Sequence, residues 1–185
     1  MKRLFLFAAF ALVLPGTTYI YGQNMHVSAN LLDYLNLGTI NGEFGLSTAP
    51  NWTFYIRGRY NPFTFQFNDK QVQNRVAAGT IGVRYWFWYS NSGWFLDANL
   101  GCARYNTGGI IDRYAYEGDA VGAGVGVGYA FMISSRWNLN VGVGLQGGYT
   151  SYTKYGCPAC GKVLGKYEGG YLIPSNIMVQ LLRVL

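Results

Sequence analysis

The sequence predicts an all-β chain, a transmembrane eight-stranded antiparallel up-and-down β-barrel. Three observations point there. From residue 25 onward apolar side chains recur at every second position, the period of a strand. The positions between them carry glycines and a few charged groups, so each ribbon has an oily side and a bare or polar side. The links between ribbons alternate between tight and long, the pattern of outer-membrane barrels with short periplasmic turns and longer outer loops.

Composition agrees. A chain of 185 residues makes one domain, and this one holds 26 Gly and 16 Tyr with only 12% charged residues. Glycine is costly inside helices, and aromatic residues favour strands. Past the N-terminus no apolar run reaches the ~18 residues of a membrane-spanning helix. The first residues have the three parts of a secretory signal peptide: a basic start at Lys2 and Arg3, the apolar run LFLFAAFALVL over 4–14, and a break at Pro15-Gly16. The expected domains are a signal peptide over 1–22 and a barrel over 23–185. Export removes two cations, leaving 12 basic against 8 acidic residues, a balance of +4. These are scattered, with no basic stripe for a nucleic acid.

The strands are expected at 25–32, 38–47, 52–61, 74–89, 94–106, 118–132, 137–152 and 172–185. Residues 25–47 also read as one bent strand. The sixth shows the pattern most openly: Val121, Ala123, Val125, Val127, Tyr129 and Phe131 share one face, and Gly122, Gly124, Gly126 and Gly128 the other. A water-soluble sandwich would need bulk on its buried side. Here the bulk lies on the side that a barrel turns to lipid.

The stretch WFWYSNSGW over 86–94 puts aromatic residues around a tight turn. In a barrel this is the interfacial aromatic belt, where an apolar ring with a polar edge sits between hydrocarbon and water. Trp52, Trp94, Trp137, Tyr129 and Phe131 form it at the periplasmic side. Tyr60, Tyr105, Tyr149 and Tyr152 mark the opposite rim. Trp86 and Trp88 fall in the inward register and fill the lumen.

An eight-stranded barrel has room only for its own side chains. Glu43, Arg57, Arg59, Arg84 and Asp97 point inward, and buried charge demands partners. The expected network includes Arg84–Asp97 and Arg57–Glu43, with the glycine walls leaving room for the long arginines. Its role is to plug the lumen; the alternative is a narrow cationic pore.

Other motifs are weaker. Cys157-Pro158-Ala159-Cys160 in the longest outer loop is expected to form a disulfide in an exported protein. A zinc ribbon needs a second pair, and the only other thiol, Cys102, lies on a strand. The GxGxGxG run at 122–128 keeps a strict period of two with no helix after it, which argues against a dinucleotide loop. The sequon Asn51-Trp52-Thr53 sits at a periplasmic turn. Barrel enzymes need a base poised near neutral pH. The single histidine, His26, shares its face with Ser28 but has no evident carboxylate partner, and is expected to be a rim residue. No enzyme activity, cofactor or metal is expected.

Several blocks resemble the domain-of-unknown-function 3575 proteins of Bacteroidota: Asn30-Leu31-Leu32-Asp33, Asn41 to Leu46 (NGEFGL), Arg59 to Phe63 (RYNPF), Val83 to Phe87 (VRYWF), Ser135 to Leu139 (SRWNL) and Lys154 to Gly161 (KYGCPACG). The family's Gly-Pro-Thr-Lys before the last strand is altered here to Ile173-Pro174-Ser175-Asn176. The resemblance implies a barrel in the bacterial outer membrane and carries no catalytic residue. It suggests an accessory or docking subunit of a cell-surface, fimbrial-type assembly, with outer-membrane lipid and other envelope proteins as partners. A narrow channel or a carrier of small hydrophobic ligands is the alternative.

Overall fold

The structure is a computed structural model that describes residues 25–67, 70–110, 113–158 and 161–185. The expected signal peptide lies outside them, as does the expected Cys157–Cys160 disulfide, because Cys160 does. Nine strands and one short helix follow in chain order: β1 (Met25–Asn30), α1 (Leu31–Leu35), β2 (Ile40–Ala49), β3 (Trp52–Asn61), β4 (Thr64–Phe67), β5 (Lys70–Trp86), β6 (Gly93–Gly108), β7 (Ala115–Met132), β8 (Trp137–Tyr155) and β9 (Val163–Val184).

All pairings are antiparallel. β1 pairs with β9 and β3 with β5, so eight strands close on themselves into a ring, and β4 hangs from β5 as a hairpin arm. The stagger of the closure is read by following cross-strand partners. From Ser28 the row runs through Glu43, Arg57, Thr80, Gly101, Gly122 and Gly148 to Tyr171. Ser28 itself pairs with Leu182, eleven positions further along β9. Such a stagger tilts the strands of a closed sheet.

The expected strands are present with three differences. Residues 25–47 form two strands as expected, but the link between them holds a helix, α1, capped by Asn30, whose side chain accepts from Leu32 N at 3.3 Å, the role of an N-cap. The span 62–73 contains β4. The β8–β9 hairpin runs out to Tyr155 and Val163, where a loop over 153–171 was expected. Beside β9, β1 stops early. Asn30 continues its pairing with a side chain: it accepts from Val179 N (3.1 Å) and donates to Ile177 O (3.4 Å).

The outside of the molecule is apolar, and most of the buried side chains are polar, with an apolar cluster of Trp86, Phe95, Ala130 and Met178 among them. Ile56, Ile81, Leu100 and Val125 on the outer face are 59–63% exposed, whereas Arg84, His26 and Asn140 inside are 0% exposed. The strand period alone does this, since neighbours along a strand point to opposite faces.

The tight turns seal one end. Asn91, in a left-handed conformation (φ 64°), folds under the ring, and its carbonyl accepts from Asn138 Nδ2 of β8 at 2.5 Å. Asn51 Nδ2 donates to Trp86 O (2.7 Å) and Trp88 O (2.6 Å), tying two turns together. Trp86 is buried inside, with Nε1 donating to Thr53 Oγ1 at 3.0 Å. Trp88 does not fill the lumen. β5 ends at Trp86, and Trp88 lies 58% exposed in the turn, so the strand register no longer governs where it points.

Candidate functional site

The candidate site is a layer of charged side chains across the ring. Glu43 of β2 is its centre. Arg57 of β3, the next strand, donates to Glu43 Oε2 from Nε (2.9 Å) and Nη2 (2.7 Å). Arg84 of β5 reaches over β3 and donates to both oxygens, Nη1 to Oε1 (2.7 Å) and Nη2 to Oε2 (2.9 Å). Its Nε donates to Asp97 Oδ2 of β6 at 3.1 Å. Asp97 Oδ1 accepts from Tyr55 Oη (2.9 Å) and Asn99 Nδ2 (2.8 Å). The guanidinium of Arg84 also stacks 4.4 Å from the Tyr55 ring and 5.5 Å from that of Phe95, a cation–π geometry.

His26 and Ser28 of β1 complete the layer. His26 Nε2 lies 3.4 Å from Glu43 Oε1, and Ser28 Oγ donates to the same oxygen at 3.3 Å. Gln180 Nε2 donates to Ser28 Oγ at 2.7 Å. The expectation of a rim histidine without a carboxylate is therefore corrected: His26 is fully buried against Glu43. Its β1 register sets it opposite Gly45, one diagonal step from Glu43, and a Cβ at Gly45 would overlap the ring.

Both expected pairs, Arg84–Asp97 and Arg57–Glu43, are present. The bridge from Arg84 to Glu43 was not foreseen. Arg59 is not part of the layer: it stands one inward step above Arg57, near Asp33 of α1, and among the described residues no carboxylate lies within ion-pair distance of it. The glycine wall makes room for other groups than arginine. A Cβ at Gly128 would meet Phe95, at Gly124 Asn99, and at Gly122 Tyr171. Two guanidinium groups face two carboxylates here, so the layer is neutral with a neutral histidine. Among the described residues no three His, Cys, Asp or Glu groups gather as metal ligands.

Below this layer the outer face carries the aromatic residues expected near the tight turns. Trp52 packs on Tyr85 with ring centroids 5.0 Å apart, Trp94 on Tyr129 at 5.3 Å and Tyr129 on Phe131 at 4.7 Å, and Trp137 lies beside Arg183. The tyrosines expected at the other rim divide. Tyr60 and Tyr149 are exposed on the outer face, whereas Tyr105 and Tyr152 fall in the inward register. Tyr105 Oη lies 2.8 Å from Thr150 Oγ1 across β7. Tyr152 meets Tyr116 at 5.9 Å and stacks on Tyr167 at 5.5 Å.

Above the apolar band the outer face becomes charged. Arg104 donates to Asp119 at 2.8 Å, and Tyr149 Oη to Glu168 at 2.9 Å.

Neither a curated protein nor a solved structure matches the chain. A family model described as a protein of unknown function, DUF3575, matches residues 8–185. The all-β ring with its charged interior therefore belongs to the DUF3575 family.

Proposed function

We propose that the protein is a small integral β-barrel of the bacterial outer membrane with a side-chain-filled lumen, acting as an accessory or docking subunit of a cell-surface assembly of the fimbrial kind. The observation that carries this is the inversion of the ring. Exposed aliphatic side chains cover the outside, and the inside holds a buried polar and charged layer beside a small apolar cluster of Trp86, Phe95, Ala130 and Met178. A water-soluble fold keeps such aliphatic patches small. The dimensions suit a membrane: a ten-residue strand such as β3 is ~33 Å long and spans ~23 Å at a ~45° tilt, against an apolar band of ~25 Å. The signal-like N-terminus supports export to that membrane.

With the lumen filled by the Glu43 layer, the surfaces left for function are the outer loops, the projecting β8–β9 hairpin and the outer wall. That favours docking over conduction. Extraction of native membranes in mild detergent, crosslinking and mass spectrometry should recover the barrel with other envelope proteins. Recovery of the barrel alone would overturn the docking role. In planar bilayers the protein should give no steady current at the level of an open pore; a cation-selective or anion-selective current that shifts on neutralising Arg84 would instead establish the channel.

A further inference from the structure

Above the ionic layer the strands of the ring are unequal. β5 to β9 continue past the ends of β1 to β3 and form a tall curved wall. Its concave side carries a run of tyrosines on successive strands. Tyr116 of β7, Tyr152 of β8 and Tyr167 of β9 touch edge to face and then nearly parallel, the last pair 25° from coplanar. Lys154, in the same inward register, places Nζ 3.9 Å from the Tyr114 ring centroid and 5.6 Å from that of Tyr116.

Charge is sorted between the two sides of this wall. The carboxylates of β7 and β9 at this height, Glu117, Asp119 and Glu168, occupy the outward register. The inward register holds Lys154, and lower down Arg59 on the facing part of the ring. Among the described residues neither cation has a carboxylate within ion-pair distance. Asp33 of α1 lies near enough to Arg59 to be influenced by its charge. From Arg59 the cross-strand row runs through Ala78, Ala103, Ala120 and Thr150 to Gly169, and the three alanines line a cavity with Arg59 above the plug.

We propose that this concave face binds an acidic sugar chain, with the tyrosines stacking on sugar rings and Lys154 and Arg59 taking its carboxylate or phosphate groups. The chemistry favours a sugar over a peptide. A pyranose offers an apolar C–H face to a flat aromatic platform and hydroxyl groups to tyrosine and threonine. The tyrosines offer such platforms, and the inward positions beside them on β7, β8 and β9 are Gly118, Thr150, Gly165 and Gly169. Lys154 stands four residues above Thr150 on β8, a rise of ~13 Å, enough for two or three sugar units. The inference goes beyond the docking role and does not depend on which protein docks.

The test is calorimetric titration of the purified full-length mature protein in detergent. The probes are oligogalacturonate, a phosphorylated mannan oligosaccharide, neutral dextran oligosaccharide and poly-glutamate. One or both acidic sugars should bind, and which of them does identifies the anionic group. Dextran should bind at least about tenfold more weakly, a free-energy difference on the scale of one charged contact. Arg59→Gln, Lys154→Met and Tyr152→Ala should each weaken the acidic sugar at least about tenfold, Tyr152→Phe should keep most of the affinity, and Tyr149→Ala on the outer face should leave it unchanged. Unaltered heat-induced gel mobility shifts the variants' effects onto binding rather than folding. Absence of binding to either acidic sugar, equal binding of dextran, or equal binding of poly-glutamate through the same residues would overturn the proposal.

Discussion

Arg84 and Glu43 are joined by two hydrogen bonds, 2.7 and 2.9 Å, across an intervening strand. The contact ties β5 to β2 over β3, and through Asp97 and His26 it extends to β6 and β1. With Arg57 and Tyr55 of β3, which donate to Glu43 and Asp97, five of the eight strands in the ring place side chains directly on these two carboxylates or supply them.

Arg84→Met removes a group that contacts both carboxylates, Glu43 and Asp97. Breaking a buried ion pair by removing one partner costs about 3–5 kcal/mol, because the other charge is left uncompensated. The expected outcome is a loss of that order in urea unfolding followed by tryptophan fluorescence. Arg84→Lys should recover little, since an ammonium cannot reproduce the fork that meets both Glu43 oxygens. The double variant Arg84→Met/Glu43→Gln should be more stable than Arg84→Met alone. Independent, additive losses would show that the two residues do not act as a unit.

The environment of the outer face is decided by a charge placed on it. Val125 lies on the outer face of β7 amid the aliphatic band and is well exposed. On a surface in water Val125→Arg would change stability by less than about 0.5 kcal/mol. At the midplane of a bilayer the same change costs about 2–4 kcal/mol. Unfolding of wild type and variant in lipid vesicles should show the larger penalty. A neutral result would remove hydrocarbon as the solvent of that face and with it the barrel reading.

Asp33 gives the pH dependence. Burial raises its pKa above the ordinary carboxylate value, and Arg59 and Arg57 offset part of that rise. The fold therefore favours the protonated form over the unfolded chain. The favourable contribution is complete below the ordinary carboxylate pKa of 3.8 and is lost as pH rises through the higher folded value. Asp33→Asn stays uncharged, so its melting temperature should gain on that of wild type as pH rises from that acid range to neutrality. A constant difference across the range would contradict the burial of this carboxylate.

These residues also show what could be read before the fold was known. Alternation from Val121 to Phe131 placed β7 and its faces, because side-chain direction on a strand is a local property. It also paired Arg57 with Glu43 and Arg84 with Asp97, which are direct cross-strand partners. The Arg84–Glu43 bridge was hidden because it depends on the curvature of the closed ring, which no single strand expresses. The helix signal was present in Asn30-Leu31-Leu32-Asp33, a cap residue with an acid three positions on, but the alternating context masked it. β4 leaves no signal in the sequence because Thr64–Phe67 is too short for a period to show. The upper β8–β9 hairpin has the sequence character of a loop because lysines, glycines and tyrosines replace aliphatic residues once the wall rises past the apolar band.

Gly82 offers a check on the inward register itself. A Cβ built there would stand 2.5 Å from Tyr55 Oη and 2.8 Å from Cε1, and the three atoms nearest to it all belong to that side chain. Tyr55 is also the donor to Asp97, so displacing it disturbs the ionic layer. Overpacking of this kind costs about 1–3 kcal/mol, and Gly82→Val should lose that much in urea unfolding. If the clash with Tyr55 is the cause, the cost of Gly82→Val should fall to within about 0.5 kcal/mol of zero in a Tyr55→Ala background, since coupling of touching residues appears as non-additivity in a double-mutant cycle. Were Gly82 turned outward instead, valine would meet open space and be tolerated in both backgrounds, and Tyr55 would have no influence on the result.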